Sequence, residues 1–179
     1  MLLEEIFHKK PHVYLDMDGV QADFFGAWAD KHNVPSFKHI HNPDSAITEL
    51  AHSSKEEVYD FFRNLAPLPG GQRIIHWLHK HKVPFTVLSA PLRGPFADIS
   101  IQAKKDWLDQ YNPGTSNTAK FTADKYVYAM DGDEPNVLVD DVDRFLVPWE
   151  EAGGIAIKHY DEDTNDTIQQ LERIYISEA

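Results

Sequence analysis

The sequence predicts an α/β fold, a parallel sheet flanked by helices, with a small helical cap inserted after the first strand. Three observations carry this. Short, largely β-branched apolar runs recur at Val13-Tyr14-Leu15, Val83 to Leu88, Val137-Leu138-Val139 and Ile155-Ala156-Ile157, nearly unbroken by polar residues, as expected of strands covered on both faces. Helical patterns fall between them, and that alternation implies a parallel sheet with right-handed crossovers. Residues 23–67 break the alternation, with helical patterns and no clear strand.

Each element has its own signal. After Val13–Leu15 the chain reaches Asp16-Met17-Asp18-Gly19, where glycine gives the backbone freedom to turn away from the strand. The inserted segment holds one helical pattern through Phe24, Phe25 and Trp28. A second starts at Ser54, whose spacing to Glu57 makes a capping box, and runs through Val58, Tyr59, Phe61, Phe62 and Leu65. A His-, Asn- and Pro-rich loop from His32 to Asp44 separates the two, and Pro67-Leu68-Pro69-Gly70 closes the insertion. Pro69-Gly70-Gly71 then opens a helix carrying Ile74, Ile75, Trp77 and Leu78. Asp98 is the expected cap of a helix carrying Ile101, Lys104, Lys105, Trp107 and Leu108, which ends before Asn112-Pro113-Gly114. Asn165 or Asp166 is the expected cap of a last helix with Ile168, Leu171 and Ile174 on one face. The domain reading is a core over 1–22 and 68–179, with a cap over 23–67.

A chain of 179 residues with 42% hydrophobic content is long enough to bury a proper core. Its net charge of −12 argues against a nucleic acid polymer or an anionic membrane as partner. There is no cysteine, which excludes disulfides, thiolate metal sites and a cysteine nucleophile and is compatible with the cytoplasm. Met1 to Lys10 lacks the apolar core of a signal peptide, and no apolar run is long enough to span a membrane.

The chemistry concentrates at strand ends. Asp16 and Asp18, one residue apart on extended backbone, point the same way at the carboxyl end of a strand, where open α/β sheets bind ligands. Paired carboxylates there call for a cation between them. Ser89-Ala90 ends the second run, offering a hydroxyl and backbone N–H groups for phosphate oxygens. Asp140-Asp141 ends the third, so carboxylates from two strands can hold one Mg²⁺. Lys104 and Lys105 on a helix and Lys125 in a loop can neutralise phosphate. One aspartate is then free to attack phosphorus while the other manages the leaving-group proton.

That order of parts resembles the haloacid-dehalogenase-like phosphohydrolases. The string Leu15-Asp-Met-Asp-Gly-Val-Gln-Ala-Asp-Phe24 is similar to one branch, the 5′(3′)-deoxyribonucleotidases and their phage and bacterial relatives, as are Leu65-Ala-Pro-Leu-Pro-Gly70 and Lys104-Lys-Asp-Trp107. The likeness covers roughly Val13 to Tyr160 and implies a Rossmann-like core. It also implies Asp16 as nucleophile, Asp18 as general acid/base, Ser89 and Ala90 at the phosphate, and Lys125 as the phosphate lysine with Lys104 as a second contact. The metal set would be Asp16, Asp18 through its main-chain carbonyl, Asp140 and Asp141, with Asp141 the preferred direct ligand of the acidic pair. Phe24 matches a base-contacting position, with Trp28, Phe61 and Phe62 behind it. The implied substrate is a nucleoside monophosphate, deoxyribonucleotides above all, with a homodimer left open. Three features depart from the pattern: Ala90 stands where relatives often carry a second hydroxyl, the stretch from Lys125 to Asp140 is long, and the cap is short.

Calcium loops fail on position: the twelfth residue from Asp16 is Ala27, and from Asp131 the sixth is Asn136 and the twelfth Val142. His76 and His79, and His39 and His41, lack a third ligand at zinc spacing and read as solvated or partly buried imidazoles. Asp161-Glu162-Asp163 reads as a solvated face. The same motifs would serve a phosphatase or phosphotransferase for another small ester. A phospho-accepting regulatory module uses similar parts, but in another chain order and without an aromatic cap.

Overall fold

The computed structural model describes residues 10–39, 45–50 and 52–176, with backbone alone at 39 and 45–47. The amino-terminal stretch 1–9 and His41 lie outside the described residues. Five strands make one parallel sheet: β1 (Val13–Leu15), β2 (Phe85–Ser89), β3 (Lys120–Phe121), β6 (Val137–Asp140) and β7 (Ile155–Lys158), in the spatial order β3-β2-β1-β6-β7. The other two strands, β4 (Met130–Asp131) and β5 (Glu134–Pro135), form a separate antiparallel hairpin at the acidic turn. From β1 the chain moves outward to β2 and β3, then returns to the other side of β1 for β6 and β7. The order therefore reverses beside β1, and a ligand crevice opens at such a switch point, outside the carboxyl ends of the strands.

Seven α-helices are described: α1 (Phe24–Lys31), α2 (Ser45–Leu50), α3 (Lys55–Arg63), α4 (Pro69–Lys80), α5 (Ala97–Tyr111), α6 (Asp143–Glu151) and α7 (Thr164–Tyr175). Strand side chains alternate between two covered faces, which is why the strands read as continuous apolar runs. Val13, Leu15, Val137 and Val139 pack with Ile74, Ile75 and Leu78 of α4 and Leu171 and Tyr175 of α7. On the opposite face Tyr14 and Leu138 meet Leu146 and Trp149 of α6.

Several boundaries differ from the sequence expectation. Helix α5 starts at Ala97, with Phe96 at its cap and Asp98 already in the first turn, because a 3₁₀ turn over Gly94–Phe96 runs straight into it. There Asp98 complements the helix dipole instead of capping it. Asp163, rather than Asn165 or Asp166, caps α7 by accepting from the Asp166 backbone N–H at 3.3 Å. The exposed acidic run Asp161–Asp163 forms the turn that leads in, so both expected caps are already helical. Helix α6 carries Pro148 in its interior, a residue that disfavours a helical reading. The segment after β1 holds three α-helices, not two; α2 spans six residues and is too short to show a period.

That segment leaves and returns through paired backbone bonds, Asp23 N–H to Ala66 O and Leu68 N–H to Gln21 O, each 2.8 Å. The expected capping box at Ser54 and Glu57 is present. Trp28, Leu50, Val58, Phe62 and Leu65 share one apolar cluster with Ala103, Trp107 and Leu108 of α5. Trp107 Nε1 donates to Leu65 O at 2.8 Å and the Tyr59 hydroxyl to Asp106 at 2.6 Å, so α3 is fastened to α5 by polar as well as apolar contacts.

Gly71 sets how closely α4 approaches the loop after β1. A Cβ there would fall on the Val20 carbonyl oxygen and lie 2.7 Å from Gln21 Cα, both backbone atoms that cannot swing away. Gly71→Ala is therefore expected to destabilise the protein by about 1–3 kcal/mol, the usual range for overpacking. Urea unfolding with an unchanged m-value would register it.

Candidate active site

The carboxyl ends of β1, β2 and β6 bring the expected polar residues together. Asp16 follows β1, with its N–H donating to Val139 O at 2.9 Å, and is 4% exposed. Asp18 lies two residues on, where Gly19 adopts φ +80°. A Cβ on Gly19 would collide with the Asp141 carboxylate, so glycine is required both for the turn and for the approach of the second acidic strand end. Ser89 ends β2 and Asp140 ends β6; both are fully buried.

Both lysines reach this cluster, each holding different carboxylates. Lys125, at the start of a 3₁₀ turn over Lys125–Tyr128, donates to Asp16 Oδ1 and Asp140 Oδ2, each at 2.7 Å. Phe145 lies beneath its ammonium, 4.3 Å from nitrogen to ring centroid. Lys104, fully buried on α5, donates to Asp18 Oδ2 at 2.6 Å and to Ser89 Oγ and the Ala90 carbonyl at 2.8 Å each. Its neighbour Lys105 is only partly buried, so of the two adjacent lysines on α5 it is Lys104 that enters the site. Asp140 Oδ1 accepts from the Val142 backbone N–H at 2.9 Å.

The electrostatics leave the cluster short of positive charge. Four carboxylates, Asp16, Asp18, Asp140 and Asp141, face two ammonium groups. Burial pushes the Asp140 carboxyl up to about 7, with Asp16 adding to it and Lys125 opposing. Burial pushes Asp141 up to about 8, helped by repulsion from Asp16 and Asp140. Asp18 is raised by burial and by Asp16, against the attraction of Lys104. Burial alone would lower Lys125, but Asp16 and Asp140 outweigh it and hold the ammonium above its ordinary value.

A hard cation fits here. One carboxylate oxygen from each of Asp16, Asp140 and Asp141 lies within 4.8 Å of the others, an all-oxygen set. Asp141 Oδ1 is buried without a hydrogen-bond partner, as an unfilled ligand atom would be. The Asp18 carboxylate stands outside this trio, taken by Lys104, and its Oδ1 is also buried without a partner. Among the described residues this is the single cluster of acidic or imidazole groups at metal-ligand spacing. His76 and His79 are exposed.

The aromatic residues divide by burial. Phe24 and Phe61 are partly exposed, with rings in edge contact at 5.5 Å, whereas Trp28 and Phe62 are buried in the cluster shared with α5. Phe62 nonetheless borders the polar site, its ring centroid 5.0 Å from Lys104 Nζ. Gln21 is outside the expected set, yet it is wholly buried and donates from Nε2 to the Asp16 carbonyl at 2.8 Å. The one hint in the sequence is an amide between Val20 and Ala22 in an otherwise apolar stretch.

The family model described as 5′ nucleotidase, deoxy (pyrimidine), cytosolic type C protein matches residues 10–175. No curated protein matched the chain. Among solved structures, a hydrolase from Pseudomonas syringae is 15% identical with a TM-score of 0.51, over 92% of this chain and 99% of that one, a likeness of fold. A HAD hydrolase of family IA, variant 3, from Entamoeba histolytica has 15% identity and a TM-score of 0.47, over 89% and 88% of the two chains. A HAD family hydrolase from Deinococcus radiodurans, with bound phosphate and sodium, has 11% identity and a TM-score of 0.47, over 92% and 97%.

Proposed function

The chain belongs to the cytosolic type C 5′-nucleotidase family, and from that membership we propose that it hydrolyses nucleoside monophosphates, deoxyribonucleotides above all, with Mg²⁺ and through a phosphorylated Asp16. That it is a phosphoric monoester hydrolase of the haloacid-dehalogenase-like kind follows from the family itself. The observation that carries the finer reading is the meeting of Asp16, Asp18, Ser89, Lys104, Lys125 and Asp140-Asp141 at three adjacent strand ends.

The chemistry runs in two steps. A carboxylate oxygen of Asp16 attacks phosphorus while the bond to the ribose oxygen breaks, and Asp18 gives its proton to that leaving oxygen. Water then attacks the phosphorylated Asp16, with the Asp18 carboxylate taking the water's proton, and phosphate leaves. Asp18 suits both halves: burial raises its pKa, which favours the acid, and Lys104 stabilises the carboxylate that serves as base. The Ser89 hydroxyl and the two lysines offset charge on the phosphoryl oxygens. Lys125 holds the Asp16 carboxylate in place beside Asp140. Mg²⁺ held by Asp16, Asp140, Asp141 and the Asp18 main-chain carbonyl would supply the positive charge this cluster lacks.

In this reading residues 23–67 are the cap, over a catalytic core of 1–22 and 68–179. Phe24 offers its ring to the base, backed by Phe61, Phe62 and Trp28, and a stacked base contributes about 1–3 kcal/mol. The family's description as cytosolic supports a cytoplasmic location. Among the described residues no helix is long and apolar enough to cross a membrane.

The test is phosphate release across ribo- and deoxyribonucleoside 5′- and 3′-monophosphates and a set of sugar phosphates, with Mg²⁺ present. The expected result is highest kcat/KM on a deoxyribonucleoside monophosphate. A sugar phosphate turned over faster than every nucleotide would move the assignment to another small ester. Absence of release from all of them would overturn it.

A further inference from the structure

A buried chain of side-chain amides joins the loop bearing Asp16 to the helix bearing Lys104. Asn112 Nδ2 donates to Gln21 Oε1 at 2.8 Å, and Gln21 Nε2 donates to the Asp16 carbonyl at 2.8 Å. The direction is fixed by chemistry. A backbone carbonyl only accepts, so Gln21 must present its NH₂ to Asp16 and its oxygen to Asn112, and Asn112 must in turn present its NH₂. Gln21 is 0% exposed and Asn112 6%, so neither amide has bulk water to fall back on.

Both ends of this chain are anchored. The Asp16 main chain is also held through its N–H, which donates to Val139 O on β6. Asn112 is the residue just past α5; its N–H donates to Leu108 O at 2.7 Å and its carbonyl accepts from the Thr115 hydroxyl at 2.8 Å. Two turns back on the same helix, Lys104 reaches Asp18 and Ser89. We propose that Gln21 and Asn112 are positioning residues for phosphoryl transfer, holding the Asp16 main chain in fixed relation to α5 so that the attacking carboxylate and the Lys104 ammonium keep one spacing. The inference rests on Asp16 being the nucleophile, as set out above. A small misplacement of reacting groups lowers the chemical step far more than it lowers binding, so the loss belongs in kcat.

The test compares Gln21→Glu, Gln21→Leu, Asn112→Leu and the double Leu variant with the full-length parent, on the best nucleoside monophosphate with Mg²⁺. Rates are normalised to the folded fraction from thermal melts. Gln21→Glu keeps the volume and the acceptor for Asn112; burial beside the acidic cluster raises the new carboxyl's pKa, so this variant and the parent are compared at pH 9, where the ionised form sets oxygen against the Asp16 carbonyl. It therefore reports the donor alone and stands as the deciding variant should a Leu variant fail to fold. The expected result is kcat lower by about 10- to 100-fold with KM within about 3-fold of the parent. The double variant should fall no more than about 2-fold below the worse single one, since either break interrupts the same chain. A folded Gln21→Glu with kcat within 2-fold of the parent overturns the inference, as do losses that multiply in the double variant. A parent without turnover on any monophosphate overturns the assigned function and this inference with it; an active parent with indifferent variants overturns the inference alone.

Discussion

Asp16→Asn is expected to lower phosphate release by on the order of 10⁴-fold or more, the scale seen when a covalent nucleophile is removed from a preorganised site. The same protein should melt at an equal or higher temperature in cation-free buffer. The two effects share one cause. An amide cannot attack phosphorus usefully, so no acyl phosphate forms and only assistance from the remaining charges persists. Asp16 also repels Asp140 and Asp141, and its charge is part of why both carboxyls stand far above their ordinary range. With that charge gone, both titrate closer to normal and the crowded anions relax. Lys125 gives up an anionic partner at 2.7 Å but keeps Asp140 at the same distance, so it is not stranded. A catalytic constellation that is destabilising in isolation is the usual trade between activity and stability. Phosphate assays under single-turnover conditions and melts in chelator check both halves. Activity within ten-fold of the parent would exclude Asp16 as the attacking group, whatever the melting temperature.

Much of this site was legible from the chain because its parts sit on elements with strong local signals. Continuous apolar runs placed Asp16, Ser89 and Asp140 at strand ends, and the register brings them to one edge, with Leu15 beside both Val87 and Val139. The division of labour between lysines was not legible. Lys104 and Lys105 look alike in sequence, and only the helix phase turns Lys104 inward to Asp18 and Ser89 while leaving Lys105 partly exposed. Helix α6 was hidden by Pro148, which sits where a helix tolerates it only because Phe145, Leu146 and Trp149 pack against the sheet. Gln21 was hidden for a different reason. A single amide has no periodicity, and its partner Asn112 is 91 residues away, so their pairing exists only in the folded chain. Capping at Ser54 could be read because both partners lie three residues apart. Local chemistry is written locally; contacts made across the fold are not.

Chelation is expected to cut phosphate release by roughly 10³-fold, since a divalent cation at a phosphoryl site supplies several kcal/mol of charge stabilisation. It should also make stability fall as pH rises from about 5 to 8, the reverse of the trend usual for proteins rich in paired carboxylates. The sign follows from proton counts. Asp140 and Asp141 ordinarily titrate at 3.8 but reach about 7 and about 8 in the folded, cation-free protein, mainly through burial and then through Asp16. Across that interval the folded state binds more protons than the unfolded chain, so raising the pH favours unfolding, and the loss is complete once both groups have ionised. Asp18 is displaced in the same direction and adds to the slope. Lys125 does not counter it. Its pKa is raised above 10.5, so the stability it contributes is fully present throughout this window and is lost only in strong alkali. Mg²⁺ competes with protons for the same oxygens, so it should raise the melting temperature strongly at pH 8 and little at pH 5. Melts at both pH values, with chelator and with excess Mg²⁺, measure the four corners. A cation-free melting temperature that rises between pH 5 and 8, or a Mg²⁺ shift equal at both, would show that these carboxyls do not hold their protons together in the folded protein.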